Sequence, residues 1–349
     1  MSVIRPLAIG ICALWSTMTA PSVQANPVEA FGIGARSIGM GGAMTAAVKG
    51  FAANYYNPAA LAADERLRIE LGYAYLQPRL TMNDADTGVD AHRGLQVGLV
   101  LPAVIEEHTL AFSVSLFLPD NQITRVRALP ETQPRFALFD NRPQRLVLTA
   151  SLGFEILDNL WIGAGLSFLS HTRGYLEVQG QVGFTDPTET DLRTDVDEDL
   201  VAIRYPTFAL LYEPMPDLRI GVTYREAFHL RLDLEVLVKG AIVDQGQPMI
   251  DDASFLLTSF NRTLFSPRQL SVGVMWERGS WRLSVDLTWA QWSQYPTPTS
   301  EVEIGLDLPG LPLDLPPPAI PLPPDFHDIF IPRVGTEVLV WTGPWLTLH

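Results

Sequence analysis

The chain alternates apolar and polar residues with a period of two over much of its length after residue 67. In residues 109–118, TLAFSVSLFL, leucine, phenylalanine and valine occupy one face, whereas alanine and serine predominate on the other. Strict alternation over about eight to ten residues predicts β-strands with one apolar face. The same pattern recurs in RLVLTASLGFE (145–155), LWIGAGLSF (160–168), QLSVGVMWE (269–277) and WRLSVDLTWA (281–290).

Three features indicate that these strands cross a membrane. Strands of about 10 to 15 residues are longer than those common in soluble proteins. Aromatic residues such as Tyr73, Trp276 and Trp289 mark the ends of the apolar faces, and charge and glycine occupy the opposite faces, as in a barrel with aromatic girdles and a polar lumen. After residue 25 no apolar run approaches the ~18 residues of a spanning helix. We therefore predict an all-β fold, a transmembrane antiparallel β-barrel.

The first 25 residues have the composition of a secretory signal peptide. Arg5 supplies the positive charge, residues 7–20 form the apolar segment, and Val23-Gln24-Ala25 is a cleavage site. A short anchor helix is the alternative. Cys12 is the single cysteine and falls in this segment, so disulfides and thiolate chemistry are excluded from the exported chain. The protein is expected in the bacterial outer membrane.

Counting from residue 67 predicts about ten complete strands and the start of an eleventh at PWLTLH, residues 344–349. An unfinished strand leaves a barrel edge open, so we interpret the sequence as C-terminally truncated. The alternative is a short final edge that pairs back to the first strand. The strands are expected near 67–77, 93–103, 108–118, 143–157, 159–180, 199–213, 217–239, 267–278, 280–293 and 330–342. Long loops are expected at 78–92, 119–143, 176–198, 240–266 and 293–330, the last with a rigid proline-rich cap.

Composition and motifs argue against several function classes. The net charge is −15 and only two lysines occur, Lys49 and Lys239, which disfavours nucleic-acid binding. The six histidines have no ligand spacing. GIGARSIG, residues 32–39, follows no predicted strand and is a weak match to a dinucleotide-binding loop. No G-x-S-x-G nucleophile motif occurs.

Two groups of carboxylates can be interpreted either as functional sites or as ordinary charged positions of the lumen and of a loop. Asp286 and Glu277 lie in adjacent predicted strands, and lumen charge accounts for them more simply than a catalytic acid pair. Asp195, Asp197 and Asp199 lack the glycine and distal glutamate of a calcium loop, so a solvated loop is favoured over a cation site. We expect no catalytic residues, no metal and no cofactor, and the protein is predicted not to be an enzyme.

The glycine- and alanine-rich stretch GARSIGMGGAMTAAVKGFAANYYNPAAL, residues 34–61, resembles the start of FadL-type outer-membrane transport proteins. A late hairpin is also similar to that family, with Trp281 opening its second strand and Trp289, Trp292 and Ser293 closing it. IPRVGTEV, residues 331–338, resembles the strand that follows. The resemblance covers most of the chain after residue 26.

This resemblance implies a 14-stranded barrel, of which about 10 to 11 strands are present, with an N-terminal hatch inside the lumen. The domains are then a signal peptide (1–25), a hatch (26–65) and an incomplete barrel (66–349). The implied function is passive transport of long-chain fatty acids or aromatic hydrocarbons, gated by the hatch. The implied partners are a hydrophobic ligand and the lipid and lipopolysaccharide around a monomeric barrel. The alternative is a FadL-like barrel that serves a secretion system and binds a protein partner. A general polar porin conflicts with a plug.

The expected site has three parts. The hatch ends in a turn of Asn57, Pro58 and Ala59. Gly163 and Gly165 are candidate weak points for lateral exit through the wall, although glycine also relieves crowding inside barrels. Apolar clusters in two long loops are expected to collect ligand from water, unless the loops pack on each other. These residues are Phe136, Leu138, Phe139, Phe255, Leu256, Leu257 and Phe260.

Overall fold

The computed structural model describes residues 32–77, 79, 81–82, 84–86, 91–120, 146–183, 186–245, 247–295, 301–307, 309, 325–342 and 347–348. The helices are α1 (Ala35–Gly39) and α2 (Ala53–Tyr56), with 3-10 turns at Gly50–Ala52, Pro58–Leu61, Pro187–Glu189 and Trp292–Gln294. The strands are β1 (Arg68–Leu76), β2 (Thr81–Met82), β3 (Ala85–Asp86), β4 (His92–Ile105), β5 (His108–Pro119), β6 (Val147–Leu157), β7 (Leu160–Gly183), β8 (Asp191–Met215), β9 (Leu218–Arg225), β10 (Phe228–Asp244), β11 (Gln247–Ser266), β12 (Gln269–Arg278), β13 (Trp281–Ala290), β14 (Glu301–Asp307), β15 (Ile329–Val338), β16 (Trp341–Thr342) and β17 (Thr347–Leu348). None of the helices in these ranges is long and apolar enough to cross a membrane.

Ten of the described strands form one continuous antiparallel wall in the order β1, β4, β5, β6, β7, β8, β9, β12, β13 and β15. The ten strands predicted from alternation all have a counterpart in this wall. The stretch predicted as one strand at 217–239 is interrupted at 226–227, where β9 ends and β10 leaves the wall. Tight turns join β4 to β5, β6 to β7, β8 to β9 and β12 to β13 at one end. In outer-membrane barrels short turns face the periplasm, so the longer connections mark the outer end.

The two faces of the wall have the reverse of a soluble protein's burial pattern. On β13 the apolar Leu283 and Val285 are exposed, whereas the polar Ser284 and Asp286 between them are buried. On β5 the apolar Phe112 is 40% exposed and Ser113 is 0% exposed. An apolar outer face costs nothing when lipid covers it, and the inner face can be polar because it meets other protein groups. This pattern is that of a membrane-spanning wall.

The outer end of the wall continues into a second group of strands where the sequence predicted loops. β7 and β8 extend through most of the expected loop at 176–198, and β11 replaces much of the loop at 240–266. β10 runs parallel to the outer part of β7 and pairs on its other edge with β11, which in turn pairs with β14. β11 pairs with β10, which directly precedes it in sequence, and with the more distant β14, but its own sequence lacks strict alternation, so the pattern did not reveal this strand. The loop interpretation of these stretches is wrong.

The end of the chain also differs from one expectation. β17 pairs with β16 in a separate two-stranded ladder, and not with β1 as the alternative for the final edge required. The proline-rich cap falls almost entirely within 310–324 and lies outside the described residues, as does the predicted signal peptide.

Candidate functional site

The N-terminal segment packs against the inner face of the wall and forms the main buried cluster with it. Within the hatch, Met44, Val48, Ala53 and Ala59 are at most 1% exposed. Wall residues that share the cluster are Val100, Ala111, Trp161, Leu211 and Met275, which come from β4, β5, β7, β8 and β12. Small side chains let several short turns fit in this space. The hatch therefore needs the wall to bury its apolar groups.

The hatch ends in a short turn that its own sequence specifies. Asn57 has extended backbone angles (φ −165°, ψ 95°) and caps the 3-10 turn Pro58–Leu61, with its side-chain oxygen accepting a hydrogen bond from the Ala59 backbone N–H at 3.0 Å. Pro58 occupies the first position of the turn, where a missing N–H costs nothing. The Asn-Pro-Ala order thus supplies a cap, a fixed φ and a small residue in succession.

Asn57 also ties the turn to the rest of the protein. Its side-chain nitrogen donates to the carbonyl oxygens of Thr45, at 2.7 Å, and of Leu210 on β8, at 3.1 Å. The residue is 0% exposed, so its three hydrogen bonds replace water completely. The turn predicted to end the hatch therefore makes a direct polar contact with β8.

Glycines on the inner face of β6 and β7 form the surface on which this turn lies. A Cβ atom on Gly163 would overlap the backbone of Pro58 and Ala59, and one on Gly153 would lie 2.8 Å from the Pro58 carbonyl oxygen. The strand pairing is unbroken at these positions, with Gly153 and Gly163 opposite each other. The role of Gly163 and Gly165 as weak points of the wall stays a prediction. In the structure, Gly163 is in close contact with the hatch.

Polar groups of the wall satisfy other hatch groups. Buried Asp286 accepts hydrogen bonds from the backbone N–H and the hydroxyl of Thr45, at 2.8 and 2.7 Å. Asn54 donates to the Ser113 hydroxyl at 2.8 Å. The Tyr56 carbonyl accepts from Thr223 at 2.8 Å. Hydrogen bonds at this many points hold the hatch in one orientation.

A charge network joins the hatch to the periplasmic end of the wall. Arg36 makes a two-bond contact with Glu337 on β15, with N–O distances of 2.7 and 2.8 Å. Arg282 bonds the same carboxylate at 2.9 Å and Glu277 at 2.7 and 3.0 Å. Bidentate arginine–carboxylate pairs fix direction as well as charge. Glu277 thus belongs to this network and Asp286 contacts Thr45, so the two do not form an acid pair.

Lys49 lies in the hatch beside this network. Burial lowers the pKa of the Lys49 side chain, and the guanidinium groups of Arg282, Arg219 and Arg36 lower it further, against an opposing contribution from Glu277. A lowered lysine pKa means that the surroundings disfavour its charged form. The periplasmic side of the hatch therefore combines a strong ionic contact with a locally unfavourable positive charge.

A cavity that is open to solvent lies between the hatch and the outer part of β1, β4, β5 and β6. Its hatch side is formed by Gly32, Ile33 and Phe51. The wall side is formed by Ala74, Leu76, Gln96, Ser115, Leu116, Phe117, Val147 and Thr149. Leu76, Phe117 and Val147 are near the outer ends of their strands, so the cavity is on the outer side of the hatch. Sequence reasoning did not select these residues, although a lone glutamine among inward glycines on β4 (Gly94, Gln96, Gly98) is a signal that could have found one of them.

The structure describes only some of the residues that were expected to collect ligand. Phe136, Leu138 and Phe139 lie outside the described residues. Phe255 and Leu256 are consecutive residues of β11, so their side chains lie on opposite faces of the sheet. Leu257 and Phe260 belong to the same strand, where their backbones pair with Val236 and Asp233. A single collecting patch of all these residues stays a prediction.

The acidic residues at 195–199 lie in β8 and not in a loop. Asp195 forms an exposed ion pair with Arg193 at 3.5 Å, and the backbones of Asp197 and Asp199 pair with Tyr175 and Arg173 on β7. Within the described part of the chain, no group of three or more His, Cys, Asp or Glu residues is arranged to hold a metal ion.

An antiparallel wall with an apolar outer face and a hatch packed inside defines a plugged outer-membrane barrel. The sequence matches the outer membrane protein transport family (OMPP1/FadL/TodX) over residues 12–302, and the chain belongs to that family. The resemblance noted from the hatch and the late hairpin, and the predicted fold class, are thereby confirmed. The protein is an outer-membrane transport protein and not an enzyme.

Solved structures agree with this fold. The toluene transporter TbuX of Ralstonia pickettii has a TM-score of 0.50 and 17% identity, with 88% of this chain and 82% of that chain covered. The toluene transporter TodX of Pseudomonas putida has a TM-score of 0.51 and 15% identity, covering 87% of this chain and 79% of that one. No curated protein sequence matches. At these identities the likeness concerns the fold.

Proposed function

We propose that the protein mediates passive, hatch-gated passage of uncharged hydrophobic molecules, and that the cavity above the hatch is where the ligand binds before it passes. The observation that carries this proposal is the cavity itself, which has mostly apolar walls and a floor made by the hatch. A bound molecule in this position touches the element that has to move.

The lining supplies the driving force for binding. Ile33, Phe51, Leu76, Leu116 and Phe117 surround the cavity. Burying apolar surface contributes about 25 cal/mol for each Å² removed from water, so a molecule with little polar surface gains most. A ligand that contacts Ile33 and Phe51 can favour a second hatch position only through different contacts in the two positions. Ile33 and Phe51 provide the surface through which a bound ligand could contact the two hatch positions differently.

Small molecules with an aromatic hydrocarbon body are the favoured substrate class, ahead of long-chain fatty acids. TbuX and TodX are described as toluene transporters, and the aromatic side chains Phe51 and Phe117 line the cavity of this chain. Aromatic pairs gain about 0.5–1.5 kcal/mol beyond burial of area. The outer residues Phe255 and Leu256 are proposed to deliver ligand to the cavity from the solvent side.

Filling the cavity tests the proposal. Ala74 is 9% exposed and lines the cavity, so Ala74→Phe is expected to reduce uptake of labelled toluene by about tenfold or more, which corresponds to ~1.4 kcal/mol. Uptake is measured in cells that express equal amounts of folded barrel. Ala103→Phe adds the same side chain at an exposed position of β4 and is expected to leave uptake unchanged.

Equal uptake by both variants and the unaltered protein would contradict the cavity as the route. Uptake that does not depend on expression of the barrel, together with a stoichiometric protein partner on purification, would favour the secretion-system alternative.

A further inference from the structure

One edge of the cavity carries hydrogen-bonding groups that an apolar ligand would leave unused. Gln96, Ser115 and Thr149 line it beside the apolar residues. Gln96 is only 7% exposed. The three lie on the inner faces of β4, β5 and β6, where Gln96 pairs with Phe117, and Ser115 pairs with Gly98 on one side and Thr149 on the other. They therefore form one polar edge, which we define as Gln96, Ser115 and Thr149.

The amide of Gln96 has a fixed orientation. The Gly34 backbone N–H donates to its side-chain oxygen at 3.2 Å. An N–H needs an acceptor, so the oxygen must face Gly34 and the NH₂ group is directed elsewhere. The side-chain nitrogen has no hydrogen-bond partner among the described residues. A nine-tenths-buried side chain on the cavity wall thus presents two unused donors.

The other two members of the edge differ in availability. The Ser115 hydroxyl has no hydrogen-bond partner among the described residues. Thr149 is already paired with the Ser167 hydroxyl at 3.0 Å. The unused capacity is therefore concentrated on Gln96 and Ser115, both of which are neutral and able to donate.

We infer that the cavity is built for molecules that carry one neutral, hydrogen-bond-accepting oxygen on an apolar aromatic body, such as aryl ketones or phenols, in preference to pure hydrocarbons. This inference rests on the proposed function and narrows its substrate class. The aromatic body packs on Phe51 and Phe117, and the oxygen accepts from Gln96 and Ser115. A site whose buried donors find an acceptor discriminates against an analogue that lacks it, because those donors are then left unpaired.

Three ligands of the same shape separate the possibilities. 4-Methylacetophenone, p-cymene and 4-methylbenzoate share one heavy-atom skeleton and end in a neutral carbonyl, an isopropyl group and a carboxylate respectively. Dissociation constants are measured with the purified full-length protein in one detergent. For each variant, the dissociation constant of one ligand is divided by that of another. Partitioning of the ligands into micelles is the same for every variant, so a change in this ratio from one variant to the next reflects the binding site alone.

Two substitutions at Gln96 remove the donors in different ways. Gln96→Leu removes the whole amide. Gln96→Glu keeps an oxygen for the Gly34 N–H but replaces the NH₂ donors with a carboxylate oxygen and a negative charge. Agreement between the two variants separates the lost donors from that charge and from loss of hatch support. Relative to the unaltered protein, both substitutions are expected to raise the dissociation constant of 4-methylacetophenone relative to that of p-cymene by about tenfold or more. This is the size expected for a lost buried hydrogen bond. Ser271→Ala is the control, because Ser271 pairs with Thr288 at 2.8 Å and lies outside the cavity lining.

The outcomes are distinct. An unchanged ratio in Gln96→Glu, with both neutral ligands still bound, overturns the polar-edge inference and leaves the proposed function standing. Binding of 4-methylbenzoate at least as tight as that of 4-methylacetophenone overturns the preference for a neutral oxygen. Absence of saturable binding of all three ligands to the unaltered protein contradicts the proposed function itself.

Discussion

Gly163→Ala is expected to displace the hatch turn while the strands of the wall stay paired. The added Cβ would overlap the backbone of Pro58 and Ala59, and neither can move away as a flexible side chain could. Alanine is itself favoured over glycine in a strand by about 0.5–1 kcal/mol, so the wall has no reason to unfold. Hydrogen exchange of the peptide spanning 45–61 is expected to accelerate by about tenfold or more.

Gly165→Ala provides the matched control on the same strand. A Cβ there would approach the Ser151 hydroxyl at 2.6 Å, and that group can rotate away. It is expected to leave exchange of the hatch unchanged. Equal effects of the two substitutions would show that glycine at 163 relieves crowding in the wall and does not receive the hatch.

Asn57→Asp is expected to be more damaging than its isosteric shape suggests. The carboxylate can still accept from the Ala59 N–H, but it has no N–H for the carbonyls of Thr45 and Leu210. It would instead place negative charge beside two carbonyl oxygens at a site that is 0% exposed. Loss of buried partners costs about 1–3 kcal/mol for each group, and more when a charge is involved, so hatch docking should fall by several kcal/mol. The measurement is hatch hydrogen exchange with the wall as internal reference.

Asn54→Asp is the comparison for this change. Asn54 donates one hydrogen bond, to the Ser113 hydroxyl, which itself donates to the Leu99 carbonyl oxygen. In Asn54→Asp this hydroxyl can turn to donate to the carboxylate at the expense of the single bond to Leu99, whereas Asn57→Asp leaves two carbonyl oxygens facing a charge. A clearly smaller effect is therefore expected at residue 54. If both variants protect the hatch as well as asparagine does, the Asn57 hydrogen bonds do not hold the turn.

The wall was predictable from the sequence, and much of the outer end was not. A bilayer on one side and a packed lumen on the other impose a period of two, as β5 and β13 show. β11 was missed because its own sequence, QPMIDDASFLLTSFNRTLFS, lacks strict alternation, although its partner β10 lies largely within the strand predicted at 217–239. β11 forms because β10 and β14 pair with its two edges in the folded protein, and a pattern of apolar and polar residues within one strand does not show such pairing.

The candidate site likewise has parts that could be predicted from the sequence and parts that could not. Asn57-Pro58-Ala59 was expected to end the hatch because it resembles the Asn-Pro-Ala turn of FadL-type proteins, and its three residues are adjacent in sequence. The pairing of Arg36 with Glu337 spans 301 residues, so no local pattern indicates it. Gly163 was noticed as unusual, but its contact with Pro58 and Ala59 depends on the folded position of the hatch. Residues such as Gln96 acquire their meaning only once the cavity is formed.

The most direct test of the gating proposal is uptake with the hatch fixed to the wall. Cys12 is the only native cysteine and lies in the predicted signal peptide, so Asn54→Cys with Ser113→Cys creates one defined pair. The native side-chain atoms at these positions are 2.8 Å apart and both residues are buried, so the two thiols are to be joined by a direct disulfide formed during export. The account predicts that disulfide-linked protein binds a hydrophobic ligand but no longer transports it, and that reducing the disulfide, or introducing either cysteine alone, preserves transport. Full uptake by quantitatively cross-linked protein would contradict hatch gating.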